Sequence, residues 1–185
     1  MIEEDEEKMS QASLEIVREF FIANGFFVLK NEDILFVKNS CLKEDTVSER
    51  FVLSIEEINQ INNAVIKVIS WHTMKFTPSV LNKNPEIFEF LVDSNLQTAG
   101  KVFLGDPFLK ILLLPALPAS EDLKGKSIAI MKDKGIDHII TFPSIVSGLI
   151  EKIESRHVYL SSVNEVLRIL KFYRFFNEEE QNLPF

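Results

Sequence analysis

The stretch Ala64-Val65-Ile66-Lys67-Val68-Ile69-Ser70-Trp71 is a run of β-branched and apolar residues broken by one cation, and it empties into Trp71-His72-Thr73. A short apolar run of this composition reads as a central strand buried on both faces. Its carboxyl end presents an indole, an imidazole and a hydroxyl together, and ligands of open α/β sheets bind outside the carboxyl ends of the strands. Trp71, His72 and Thr73 therefore mark the candidate crevice.

Upstream, Ile16, Val17, Phe20 and Phe21 share one face of a helix expected from Ser10 to Asn24, with Gly25 as its stop. Phe26 to Leu29 and Ile34 to Val37 flank Lys30-Asn31-Glu32-Asp33, whose turn chemistry folds them into an antiparallel hairpin. Ser40 to Arg50 is polar, has no period and reads as a loop. Phe51 to Leu53 is a brief strand, and Ser54-Ile55-Glu56-Glu57 is a capping box that opens a short helix.

Downstream, Thr77-Pro78 and Asn84-Pro85 each pair an N-cap residue with a proline at the first helical position, so short helices run to about Leu104. The pattern then reads strand Leu109–Leu114, helix Glu121–Lys134, strand His138–Phe142 and helix Ser144–Ile153. The last helix is expected to start at Ser161 or Ser162, where Ser162-Val163-Asn164-Glu165 is a second capping box. A hairpin, a central strand and two strand-helix units make an α/β fold, a mixed sheet with helices on both faces.

At 185 residues and 46% hydrophobic composition, the chain is long enough for one sizeable core, expected over residues 10–176 as a single α/β domain. The acidic run Glu3 to Glu7 makes 1–9 a disordered, solvated start and the opposite of a secretory signal, and 177–185 reads as a loose acidic tail. A net charge of −8 does not favour nucleic acid as a partner. The single cysteine, Cys41, fits a reducing, cytoplasmic compartment. The longest apolar run, Phe108 to Leu117, is interrupted by Lys110 and Pro115, so no membrane span is expected.

Several familiar chemistries are absent from the pattern. The glycines at 25, 100, 105, 125, 135 and 148 form no phosphate-cradling cluster, so no nucleotide cofactor is indicated. Cys41 lacks a nucleophile signature, and the spacing of His72, His138 and His157 matches no zinc motif. Near the carboxyl end, Phe172, Tyr173, Phe175 and Phe176 exceed what one core needs, which points to a homo-oligomer or a protein partner.

The element order, helix, antiparallel pair, central strand, helix, strand, helix, resembles the core of the restriction-endonuclease-like superfamily across about Ser13 to Phe175. The resemblance implies an aspartate opening the second strand, a Glu-x-Lys on the third and, in some members, a glutamate from the first helix. Together these hold a divalent metal against a phosphodiester and position the attacking water. Asp33 matches the aspartate and Glu19 or Glu15 the helical glutamate, but Lys67 stands at the glutamate position and Ile69 at the lysine position. One carboxylate is thus exchanged for a cation, which inverts the charge balance a hard cation needs. The chain is also similar to bacterial proteins of unassigned activity in which a strand ends in a Trp-His-Thr-like tripeptide.

Lys67 has two readings, an ion pair or anion site beside Asp33, or a stem lying on the sheet with its ammonium in water. His72 is either a general base or metal ligand, or a strand-end histidine tied by local hydrogen bonds, with Thr73 in a turn. Three function classes follow. The first is a non-catalytic nuclease-like fold serving as an interaction or structural module. The second is a divalent-metal-dependent nuclease using Asp33 with Glu19 or another displaced carboxylate. The third is a regulatory α/β domain, for which the first two strands would not form an antiparallel hairpin.

Overall fold

A computed structural model describes residues 11–41 and 48–176. The termini expected to be acidic and loose, 1–9 and 177–185, and residues 42–47 of the polar loop lie outside the described residues. One five-stranded sheet runs in the order β1 (Phe26–Asn31), β2 (Ile34–Asn39), β3 (Asn63–Val68), β4 (Leu109–Leu114) and β5 (His138–Thr141). β1, β2 and β3 are antiparallel neighbours, whereas β3, β4 and β5 are parallel.

The hairpin is tighter than its sequence suggested. Lys30 and Asn31 remain in β1, and the turn is Glu32-Asp33, with Glu32 at φ 52. The registers Asn31↔Ile34 and Ile34↔Lys67 place Asp33 beside β3.

Strand alternation divides the core. Leu35, Val37, Ala64, Ile66, Val68, Ile111, Leu113 and Ile140 face one layer, where α1 (Gln11–Ala23) contributes Leu14, Val17, Phe20 and Phe21 and α6 (Phe142–Lys152) contributes Ile145 and Leu149. Ile34, Phe36, Val65, Leu112, Leu114 and Ile139 face the other. They are covered by α3 (Pro78–Lys83), a 3-10 helix (Pro85–Leu91), α4 (Asp93–Val102) and α5 (Glu121–Asp133). Parallel strands joined by crossover helices have to be covered on both faces, which is why β3 to β5 are mostly apolar, with polar residues at Asn63, Lys67, Lys110, His138 and Thr141.

At Gly148 α6 approaches Phe20 of α1 closely, because a Cβ there would lie 2.7 Å from Cε2 of that ring. Only a residue without a side chain allows that approach.

Several boundaries moved for identifiable reasons. The central strand ends at Val68, not Trp71: one further ladder bond, Ile69 N–H to Leu113 O at 2.9 Å, is followed by a turn closed by His72 N–H to Ser70 O. The strand at Phe51–Leu53 is reduced to a single parallel bridge, Val52↔Ile139, on the outer side of β5. The capping box at Ser54–Glu57 forms, opening α2 (Ile55–Ile58). Thr77 caps α3, but the Asn84 amide donates back to Val80 O at 2.7 Å and leaves the 3-10 helix without a side-chain cap. α6 starts at Phe142 because Pro143, with no N–H to satisfy, fits the first turn.

The second capping box does not form. Ser161 is the N-cap of α7 (Ser162–Phe172), one residue earlier than the box requires, so Asn164 occupies the third helical position. Glu165, a position too far along, instead accepts the Tyr159 N–H at 3.2 Å and pairs with Arg168 at 2.6 Å. The Arg168 hydrogen bond, then the Tyr159 N–H, hold its carboxyl down at about 2 against the burial that opposes them, from an ordinary value of 4.5. A depressed carboxylate stabilises above its unfolded value and loses that contribution as pH falls through the folded one. Acid should therefore loosen the α6–α7 connection between about pH 4.5 and about pH 2, and Glu165→Gln should remove that pH dependence. Hydrogen exchange of the α7 amides against pH measures it, and equal exchange in both proteins across that window would contradict it.

Candidate functional site

The apolar alternation of β3 puts Lys67 on the same face as Val65, opposite Ile34 of β2. The turn before β2 places Asp33 next to it, and Asp33 O accepts the Val68 N–H at 2.9 Å, fixing the turn against β3. Lys67 Nζ donates to Asp33 Oδ2 in an ion pair whose side chains are 13% and 26% exposed, respectively. Of the two readings of Lys67, the paired one is the geometry observed. A lysine ammonium has donors but no lone pair, so it occupies one oxygen of the Asp33 carboxylate and supplies no ligand itself.

The glutamates of α1 are drawn elsewhere. Glu15 accepts from Arg18 at 3.0 Å and from Lys30 at 3.2 Å. Burial pushes its carboxyl up, but the hydrogen bonds from Lys30 and Arg18 and their charges together bring it below the ordinary value. Glu19 accepts the Asn164 amide at 2.8 Å and lies 3.7 Å from Arg18, so it ties α1 to α7. No contact brings either glutamate to Asp33 among the described residues, and no group of three or more His, Cys, Asp or Glu side chains there could hold a metal ion. The basic and amide partners of α1 decide this, since each offers the glutamates a nearby donor.

Trp71, His72 and Thr73 do not converge as a strand end would have presented them. Once the strand stops at Val68, Trp71 stacks on Phe76 at 6.0 Å on the α5 side of the sheet. His72 goes to the other side, with Nε2 2.7 Å from Ser13 Oγ of α1 and its ring 4.6 Å from Phe142 at the start of α6. Thr73 is exposed in the turn that follows. The imidazole is thus positioned by a hydroxyl and an aromatic edge, and indole and imidazole pack on opposite sides of the sheet. Cys41 is exposed, its N–H donating to Asn39 Oδ1 at 3.0 Å.

A cleft of about 550 Å³ lies at the opposite, amino ends of the parallel strands, where no sequence motif marks it. Arg50, Glu57, Asn63, Phe108, Leu109 and His138 are among its walls. Asn63 and His138 open β3 and β5 and are nearly buried, at 9% and 6% exposure. Asn63 Nδ2 donates to Pro107 O at 3.1 Å, and His138 Nδ1 to Arg50 O at 2.9 Å. The available signal was a polar residue leading each of two apolar strands, a place where such a side chain can turn out of the core.

No family model matches this chain, and neither does any curated protein or solved structure.

Proposed function

We propose that the protein is a non-catalytic member of the restriction-endonuclease-like fold that works as an interaction or structural module in the cytoplasm. The observation that carries the reading is the Lys67–Asp33 pair, a cation seated where the fold's metal chemistry calls for an ion and a second carboxylate. The antiparallel β1–β2 hairpin supports the same ancestry and is the arrangement a regulatory domain of other descent was expected to lack. Exposed apolar side chains supply surfaces for a protein partner or a second copy. Phe27 and Leu29 stand out on the edge strand β1 at 70% and 53% exposure, and Phe172, Tyr173 and Phe175 end α7 at 58%, 67% and 73%. That no helix among the described residues is long and apolar enough to cross a membrane agrees with such a role.

The test uses Trp71, the one tryptophan of the chain, which lies on the same face of the sheet as Lys67. Titrating manganese while following indole fluorescence is expected to give no saturable quenching in the protein or in Asp33→Ala. Saturable quenching that disappears in Asp33→Ala would put a metal at Asp33 and favour the nuclease reading instead. A sedimentation series that keeps the mass of one chain at every concentration would remove the second copy as partner.

A further inference from the structure

We infer that the cleft at the amino ends of β3, β4 and β5 binds a small protonated amine carried on an apolar or aromatic body. The inference is independent of the Asp33–Lys67 reading, which concerns the other end of β3. The fold has already engaged one polar atom in each of two cleft side chains. Asn63 Nδ2 gives its hydrogen to the Pro107 carbonyl at 3.1 Å, and because a carbonyl only accepts, the amide orientation is settled and Oδ1 remains as an acceptor. By the same logic the His138 Nδ1–H donates to the Arg50 carbonyl at 2.9 Å, so Nε2 is the ring nitrogen left to accept a hydrogen bond. Neither Oδ1 of Asn63 nor Nε2 of His138 is sealed unpaired inside the core, and neither finds a further partner among the described residues. Each side chain spends its donor on the carbonyl of a cleft-wall residue and retains an accessible acceptor, so the complementary ligand is a hydrogen-bond donor.

Charge selects among donors. Glu57 stands in the same wall, held below its ordinary value of 4.5 first by the Ser54 N–H and then by the Ser48 hydroxyl, with burial opposing both, so it is a carboxylate at neutral pH. Arg50 lies 3.9 Å from Glu57 and is 74% exposed, a loose contact on the solvent side, while Glu49 adds a second carboxylate. On the adjoining side, Lys132 is placed over the Phe51 ring at 5.0 Å and Lys110 faces Asp137 at 3.7 Å, so these cations already have partners. A chain of net charge −8 raises the local concentration of small cations. Ile61, Pro107, Phe108 and Leu109 supply an apolar wall, in which Phe108 is backed by Phe103 at 5.5 Å and can hold the ligand's apolar body. At about 550 Å³ the space suits a ligand of this size.

The test titrates phenethylammonium into the isotope-labelled full chain and follows backbone amide shifts, with hydrocinnamate as a matched anion. Saturable, millimolar shifts at Asn63, Phe108, Leu109 and His138 are expected for the amine and not for the anion. Gln60→Glu, at an exposed position on the cleft wall, adds a carboxylate without disturbing a side-chain partner and should tighten amine binding several-fold. His138→Phe keeps a ring but removes Nε2, and should weaken binding about tenfold, ~1.4 kcal/mol. If that variant fails to fold because Arg50 O loses its donor, Gln60→Glu still decides. The inference is overturned by an absence of saturable shifts at these residues, by hydrocinnamate binding as tightly as the amine, or by an affinity that Gln60→Glu leaves unchanged.

Discussion

Phe20→Ala is expected to destabilise the protein by about 3–5 kcal/mol, the range for deleting a fully buried aromatic side chain. Phe20 is 0% exposed, packs edge-on against Phe21 at 5.3 Å, and its ring fills the space that Gly148 leaves open on α6. Gly148→Ala makes the reciprocal change. In an exposed helix the added methyl would stabilise by up to about 1 kcal/mol. Here it would lie 2.7 Å from Phe20 Cε2, with Ile55 Cδ1 behind it at 3.4 Å. Overpacking of this kind costs about 1–3 kcal/mol, and a wedged ring has nowhere to retreat, so the single change should be net destabilising.

The two changes should therefore not add. With Phe20 truncated, the methyl at 148 enters the vacated volume and Gly148→Ala should turn stabilising, a coupling of more than about 1 kcal/mol between residues in direct contact. Denaturant unfolding of the wild type, both single variants and the double variant measures it. Additive effects would mean that α1 and α6 do not meet through this ring.

How much of this was legible beforehand depended on which interactions are local. The capping box at Ser54 and Glu57, the stop at Gly25 and the strand Leu109–Leu114 are set by neighbours in sequence, and each stands where the sequence placed it. The Ser162 box failed because the competing partners of Glu165 are Tyr159 and Arg168, which become adjacent only after the chain enters α7 one residue early. His72 was legible as a residue and not as a contact, since Ser13 is 59 positions away and no spacing rule links them. The same holds for Asn63 and His138, whose carbonyl partners are brought in by the β4 lead-in and by the strand-like segment at Arg50. Asp33 and Lys67 were legible as one of two readings of the lysine, and the choice between them came from the register: with β2 antiparallel to β3 and Leu35 and Ile66 buried on one face, the turn residue stands beside the lysine.

That pair gives the second large effect, and the two halves should differ. Asp33→Ala leaves a lysine ammonium on a side chain only 13% exposed with no counter-ion, and is expected to cost about 2–3 kcal/mol, somewhat below the range for a fully buried pair. Lys67→Met leaves the carboxylate at a turn, 26% exposed and able to rehydrate, while the methionine keeps the apolar packing of the lysine stem. It should cost about 1 kcal/mol. The double variant, with both charges gone and the packing retained, should be more stable than Asp33→Ala alone, because the penalty there is the stranded cation and not the lost attraction. Chemical unfolding of the three variants at constant ionic strength reads the asymmetry. Losses below about 0.5 kcal/mol in both single variants would show an ammonium solvated independently of Asp33, as exposed pairs are. In that case the carboxylate of Asp33 would be available to a metal ion.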